Sequence, residues 1–255
     1  MRGYRAVLEK EIVEAWRSYR IAVVCGLFVV LGIAVPIVVQ AAPAIARASG
    51  QVDAEIGVDQ AGVPDVLDVL VRLLWQLGAV AAILLAMGSI ATERAAGTAA
   101  FVLAKPVSRG AFVWAKFVAL GMILGLATGL AVVASWIYVS LLFERQSVGE
   151  WAQLWLLAWL STLVYGAITL AASSGVRSPL GAAAIGFVAF AVVSLASTVI
   201  TLNPWLPTGL SEIAQATVLG ELGPDLDPGR TVAASIWLMV AALAVAWLRF
   251  RREDL

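Results

Sequence analysis

Six long apolar runs divide the chain, and the segments between them hold most of its charges, prolines and glycines. A helix needs about 20 predominantly apolar residues to cross the roughly 30 Å hydrocarbon core of a bilayer, because no water is available there for unpaired backbone groups. The runs therefore predict an all-α polytopic membrane protein, a single domain over residues 1–255. Its six spans are predicted at 21–40, 73–91, 112–143, 151–174, 180–200 and 232–248.

A different pattern precedes the first run. Between residues 2 and 20, apolar side chains recur every three or four positions, which is typical of an amphipathic helix. The stripe consists of Tyr4, Val7, Leu8, Ile12, Ala15, Trp16 and Tyr19. We expect this leader helix to lie in the membrane interface, with Tyr4, Leu8, Ile12 and Trp16 as interface residues and its basic residues facing anionic lipid or a cytoplasmic partner. So long and amphipathic a leader argues against a cleaved signal peptide.

Basic residues predict the orientation, since Lys and Arg are retained on the cytoplasmic side during insertion. With the N-terminus inside, 13 of the 17 Lys and Arg fall on the cytoplasmic side. We therefore expect both termini in the cytoplasm. Of the two longer outside segments, 43–68 is predicted to cap the spans. The other, 201–229, is predicted to form a re-entrant or interfacial helix, because its prolines stop the preceding span.

Composition and charge exclude several classes of function. Apolar residues make up 62% and charged residues 13%, against about 45–50% and 25% in soluble domains. The chain has no His and one Cys, and its net charge is zero, which disfavours a metal site, His-based catalysis and nucleic-acid binding. No phosphate-binding Gly-Lys-Ser/Thr loop is present. Energy for uphill transport must therefore come from a partner.

The spans have no central ionisable residue, so a proton relay within the membrane is not expected. Lys116 and Arg72 lie near span ends, from which their long side chains are expected to reach the interface. On the third span, Gly121, Gly125 and Gly129 repeat every four residues. This spacing predicts a smooth face for close helix packing rather than a substrate site.

The segment 92–109, between the second and third spans, has the features of a short cytoplasmic helix. Glu93 near its start and Lys105 near its end complement the helix dipole, and Pro106 ends it. Four residues after Glu93 the sequence has a Gly-Thr pair, which an apolar stretch follows. The sequence Pro-Val-Ser-Arg comes next, and a Lys lies in the span after it. In this pattern the chain resembles the permeases of ABC-2 type transporters. The matching positions are Glu93, Gly97, Thr98, Pro106, Val107, Ser108, Arg109 and Lys116.

The resemblance implies a membrane-only, non-catalytic subunit of an ABC exporter in the plasma membrane of a prokaryote. It would pair with a second copy or a homologous permease chain and with two cytoplasmic P-loop ATPase subunits that bind ATP and Mg. No cofactor is expected in this chain. In such transporters the leader and the loop after the second span touch the ATPase. The residues expected to couple to it are Glu93, Arg94, Gly97, Thr98, Phe101, Leu103, Lys105, Pro106 and Arg109.

Within this set, we expect Glu93, Arg94 and Arg109 to make polar contacts to the ATPase, while Phe101 and Leu103 anchor the helix. The translocation path would run along the dimer interface and accept an amphipathic or lipid-like substrate or a peptide. Two alternatives stay open. One is a membrane anchor or scaffold that docks a cytoplasmic partner, and the other is an ATP-independent carrier or flippase.

Overall fold

The computed structural model of the chain describes residues 2–48, 61–95, 108–198, 203–221 and 227–252. These residues form α-helices and one short 3-10 turn, Asn203–Trp205. In chain order the α-helices are α1 (Arg2–Arg17), α2 (Arg20–Ala48), α3 (Val63–Ala86), α4 (Ala91–Ala95), α5 (Arg109–Leu142), α6 (Val148–Gly175), α7 (Pro179–Ala196), α8 (Gly209–Leu219) and α9 (Pro228–Arg252).

Six of these helices are long and apolar enough to cross a membrane: α2, α3, α5, α6, α7 and α9. The prediction of an all-helical membrane protein with six spans is therefore confirmed. Among the described residues no strand occurs. Long apolar helices are one of the two structures that satisfy every backbone group in hydrocarbon.

Helix α6 lies at the centre of the bundle and contacts α3, α5, α7, α8 and α9. It buries Trp151, Leu154, Ala158, Tyr165 and Leu170. On one side, α5 connects this core to α2, and these two helices pack at Gly32. A Cβ added at Gly32 would collide with the backbone carbonyl of Ala131 on α5. The absent side chain therefore allows the two backbones to approach closely.

Several helix ends differ from the predicted spans. Helix α2 continues to Ala48 with Pro43 inside it, and α3 begins at Val63 rather than at Leu73. The predicted cap 43–68 is thus helical at both of its ends. The reason is that Asp65, Asp68 and Arg72 lower the hydropathy without interrupting the helix. Asp65 accepts the Gly62 backbone N–H at the N-terminus of α3, and Asp68 pairs with Arg72 one turn on.

Two further helices also end at residues other than those predicted. Helix α7 ends at Ala196, before the predicted end of the fifth span at Ile200. Helix α9 covers Pro228–Arg252, so it extends beyond the predicted run at both ends. In the predicted outer segment 201–229, α8 buries Leu210, Ile213 and Ala214 against α3 and α6. This short helix is therefore part of the bundle's core at that end.

The leader helix α1 packs on α5 with part of the predicted stripe. Val7 and Ala15 are buried with Glu11 between them, and Tyr4 and Leu8 pack against the same apolar cluster as Val7. Ile12 is half-buried, and Trp16 and Tyr19 are 71% and 73% exposed. The face of α1 that packs on the bundle therefore includes a carboxylate beside the predicted apolar residues.

The close approach at Gly32 predicts unequal effects of two alanine substitutions on α2. Gly32→Ala should lower the free energy of unfolding by about 1–3 kcal/mol, because the methyl group forces α2 away from α5. Gly26→Ala is the matched control, since a Cβ there meets nothing within 4 Å. Thermal unfolding of the detergent-solubilised chain measures both variants. Equal melting temperatures would contradict the close packing.

Candidate functional site

Five charged side chains from three elements meet at the end of the bundle that carries α1, which we call the leader end. Lys116 of α5 lies 2.7 Å from a carboxylate oxygen of Glu11 on α1 and 3.2 Å from one of Glu93 on α4. Lys10 also pairs with Glu93 and lies 3.6 Å from Glu14. We call Lys10, Glu11, Glu14, Glu93 and Lys116 the ion cluster. It joins α1, α4 and α5 by charge.

Lys116 is the most enclosed member of the ion cluster. Only 2% of its side chain is exposed, against 17% for Glu11 and 14% for Glu93. Its ammonium also lies 4.9 Å from the centre of the Phe112 ring, a favourable cation–π distance. The partners of Lys116 thus belong to the protein itself, which the sequence did not predict. Its charge is neutralised inside the protein, because two carboxylates and an aromatic face are within reach.

Lys10 stays charged at physiological pH. Burial lowers its pKa, but the hydrogen bond to Glu93 and the charges of Glu93, Glu11 and Glu14 outweigh that effect and raise it above its ordinary value. A raised pKa of a cation stabilises the folded state below the pKa of the unfolded chain, and this contribution is lost only as the pH rises through the folded value. The contribution of Lys10 is therefore fully present at neutral pH.

Beneath the ion cluster lies a small cavity of about 100 Å³. Glu11, Glu14, Glu93 and Lys116 line it, together with Arg20 and Thr92. A polar cavity of this size has room for a few water molecules. The leader end is thus a polar enclosure within an apolar bundle.

A single serine holds the turn between α3 and α4. Ser173 of α6 is fully buried, and its hydroxyl donates to the Met87 carbonyl at 2.9 Å. The same oxygen accepts the backbone N–H groups of Ile90 at 3.1 Å and Ala91 at 3.0 Å. These are backbone groups that a break between two helices leaves without intrahelical partners. Ser173 therefore fixes the break and attaches α4 to α6.

Arg109 closes the other side of the leader end. Its guanidinium donates to the Arg251 carbonyl at 2.6 Å and to the Phe250 carbonyl at 3.4 Å, at the C-terminus of α9. A cation at this position also complements the helix dipole. Phe112, one turn on, stacks on Phe250 with ring centres 5.2 Å apart. The start of α5 is therefore attached to the end of α9.

The structure places only part of the predicted coupling set. Glu93 is in the ion cluster and Arg109 caps α9, so both make contacts within the chain that were not predicted. Arg94 belongs to α4, but its side chain is outside the description. The remaining members of the set lie outside the described residues: Gly97, Thr98, Phe101, Leu103, Lys105 and Pro106.

The glycine repeat on α5 faces α6. A Cβ added at Gly125 would lie 3.0 Å from the Trp159 ring, and one at Gly129 would lie 3.1 Å from Trp155. At Gly121 the neighbour is Leu163, at 3.1 Å. The indole N–H of Trp159 donates to the Gly121 carbonyl at 2.9 Å, and that of Trp155 donates to the Gly125 carbonyl at 3.1 Å. All three glycines thus take part in packing within one chain.

Sequence reasoning missed Glu11, Ser173 and the two tryptophans. The signal for Glu11 was its position four residues from both Val7 and Ala15, which places it on their helix face. Ser173 gave no signal, because serines in membrane helices commonly bond to their own backbone. Among the described residues, no group of three or more potential acidic or cysteine ligands is placed to hold a metal ion.

Comparison with known proteins adds the family relationship. The profile of the ABC-2 family transporter proteins matches residues 5–255. The chain is also similar to the uncharacterized transmembrane protein YxlG of Bacillus subtilis (strain 168), with 28% identity over 263 aligned residues. That alignment covers 100% of this chain and 99% of the relative. The aligned region therefore includes α1 and all six spans.

The ion cluster predicts that α1 is held to the bundle by charge. Glu11→Gln removes the carboxylate closest to Lys116 and should weaken docking of α1 by about 1.5–3 kcal/mol. Hydrogen exchange of the α1 amides, measured on the full chain in detergent, should speed up correspondingly. Glu9→Gln is the control, because Glu9 is exposed on the same helix. Equal exchange in the two variants would exclude this role of Glu11.

Proposed function

Because the chain belongs to the family of ABC-2 transporter proteins, we propose that it is the permease subunit of an ATP-driven exporter. Members of this family are membrane subunits of ABC transporters, generally non-catalytic, that work with ATPase subunits and permease partners. We further propose that the chain forms a dimer with a second copy or with a homologous permease. Two separate ATPase subunits that bind ATP and Mg would drive this dimer. The substrate path would lie between the two permease chains.

The distribution of basic residues supports a cytoplasmic position for the leader end. Most Lys and Arg of the chain belong to segments at this end, including Lys10, Lys116 and Arg109. The opposite end has Arg47, Arg72, Arg145 and Arg230. Positive residues are retained inside, so both termini would face the cytoplasm of a prokaryote. The ATPase subunits would then approach the leader end.

One observation supports the coupling mechanism: the residues that precede and follow the segment 96–107 are attached to other helices. On its N-terminal side, Glu93 pairs with Lys116 of α5 and Lys10 of α1, and Ser173 of α6 holds the turn before α4. On its C-terminal side, Arg109 holds the end of α9. A displacement of this segment by an ATPase would therefore act on four helices at once.

In this mechanism Glu93 is a positioning residue rather than an ATPase contact. Its carboxylate is enclosed and paired with two lysines, so it transmits motion through them. Contact with the ATPase would be made by the exposed parts of α1 and by the segment that follows Arg94. Arg94 remains a predicted polar contact to the ATPase, and Phe101 and Leu103 remain predicted anchors of the segment. The other predicted coupling residues in it are Gly97, Thr98, Lys105 and Pro106.

Purification from native membranes tests the proposed assembly. The tagged full chain, extracted in a mild detergent, should bring down a protein that contains the Gly-Lys-Ser/Thr phosphate loop. Native mass spectrometry should give two permease chains for every two ATPase chains. Absence of such an ATPase would refute the proposal. Transport by the chain alone in liposomes would favour an ATP-independent carrier, and an ATPase complex that moves nothing would favour an anchor.

The attachment of Glu93 predicts loss of coupling without loss of assembly. In the purified complex, Glu93→Gln should reduce the permease-dependent stimulation of ATP hydrolysis several-fold, because one charge-assisted contact of about 1.5–3 kcal/mol is weakened. Recovery of the complex should be unchanged. Glu9→Gln, at an exposed position of α1, should keep full stimulation. Unchanged stimulation in Glu93→Gln would mean that the ion cluster does not transmit the motion.

A further inference from the structure

A groove runs between α2 and α3 from the leader end toward the middle of the bundle. It has a volume of about 380 Å³, and eight of its ten lining residues are apolar. On α2 the lining extends from Arg20 to Leu27, and on α3 it extends from Leu85 back to Leu77. These seven or eight residues correspond to roughly 10–12 Å along a helix, which is most of one half of the roughly 30 Å hydrocarbon core. The groove is therefore about one leaflet deep.

This groove is open to the surroundings of the bundle. Among its lining residues, Val23 and Leu27 of α2 are 67% and 51% exposed, and Leu84 of α3 is 49% exposed. In a chain that crosses a membrane, an exposed apolar surface is in contact with lipid chains or with another apolar helix. The polar end of the groove distinguishes between these two occupants.

Both polar lining residues, Ser18 and Arg20, lie at the leader end of the groove. Arg20 is exposed, and within the described part of the chain it forms no ion pair. Glu11 and Glu14 line the neighbouring polar cavity together with Arg20, but each of them is paired with a lysine of the ion cluster, at 2.7 Å and 3.6 Å respectively. The guanidinium is thus available to an anion at one end of an apolar groove.

The residues next to Arg20 are typical of the membrane interface. Tyr19 separates α1 from α2 and has a φ of 58°, in the left-handed region that side chains rarely adopt. Trp16 and Tyr19 are both strongly exposed. Exposed Trp and Tyr side chains concentrate at the membrane–water interfaces. A guanidinium beside them is therefore at the level of lipid phosphate groups, and the groove extends from it into the hydrocarbon.

The opposite end of the seam between α2 and α3 has the opposite charge. A wider cavity of about 1050 Å³ begins one turn further along the two helices, at Leu31 and Leu73. Its charged lining residues are Asp65 and Asp68. Carboxylates repel an anionic head group, whereas an arginine attracts it. The two ends of the seam therefore favour an anionic lipid only in the leaflet at the leader end.

We propose that the groove binds one chain of an anionic phospholipid whose phosphate pairs with Arg20. The arginine favours this occupant over a helix of a second copy, because a phosphate brings the counter-charge that an apolar helix face lacks. The lipid is a resident ligand of one leaflet rather than a transported substrate. The inference goes beyond the proposed function, since it requires neither transport nor an ATPase. A chain that retains the lipid and recruits no ATPase would refute the proposed function alone.

The test uses the full chain in nanodiscs made from equal amounts of dioleoyl phosphatidylglycerol and dioleoyl phosphatidylcholine. Native mass spectrometry after release from the nanodisc should show that phosphatidylglycerol is retained in preference to phosphatidylcholine. Arg20→Gln should lower this preference about fivefold, because it removes one cation near the membrane surface. Arg17→Gln is the matched control, since it removes the same charge from an exposed position that does not line the groove. It should keep most of the preference.

A second pair of variants tests the apolar part of the groove. Leu84→Trp fills part of the groove and should reduce the retained amount of both lipids several-fold. Val30→Trp is its control, because Val30 is 62% exposed on α2 and does not line the groove. Four results would overturn the proposal: equal retention of the two lipids by the wild type, equal losses in Arg20→Gln and Arg17→Gln, unchanged retention in Leu84→Trp, or a dimer of the chain that retains no phosphatidylglycerol.

Discussion

The enclosed ammonium of Lys116 is the constraint on which the leader end depends. A buried charge without partners costs several kcal/mol even after relaxation of its surroundings. Lys116 lies eight residues along α5 from Ser108, so its backbone position is fixed by the bundle. Its charge can be compensated only if Glu11 and Glu93 come to it. The need to neutralise one lysine therefore constrains the position of α1 and of the start of α4, in addition to the apolar packing of α1 and the hydrogen bonds of Ser173.

Two other contacts at the leader end also join separate helices. They do so by hydrogen bonds from side chains to backbone groups at helix ends. Ser173 satisfies three backbone groups at the break between α3 and α4, and Arg109 satisfies two carbonyls at the end of α9. In each case a side chain from one element pairs with backbone groups that a helix end leaves open. These hydrogen bonds join the ends of separate helices. They fix the relative positions of the helices together with the apolar packing.

The six spans were predictable because a long apolar run is a local property of the sequence. The helix ends were harder to predict, because Asp65 and Asp68 are typical of loops in a sequence although each has a partner within one helical turn. The packed face of α1 could be predicted only in part. Val7 and Ala15 belong to the predicted stripe, but Glu11 between them is paired with a lysine 105 positions away, and periodicity alone treats a carboxylate as exposed. The glycine repeat indicated close packing, but it could not indicate that Trp155 and Trp159 of α6 would fill it.

Helices α3 and α6 are joined within the bundle as well as at the leader end. Helix α3 ends at the turn that Ser173 of α6 holds, and deeper in the bundle a Cβ added at Gly78 of α3 would lie 2.8 Å from the Thr162 side chain of α6. Thr162 and Ser173 are 11 residues apart, roughly 16 Å along a helix. Close-packed interiors resist small deformations, because side chains interdigitate with few voids. The packing between α3 and α6 therefore opposes a displacement of the turn at the leader end.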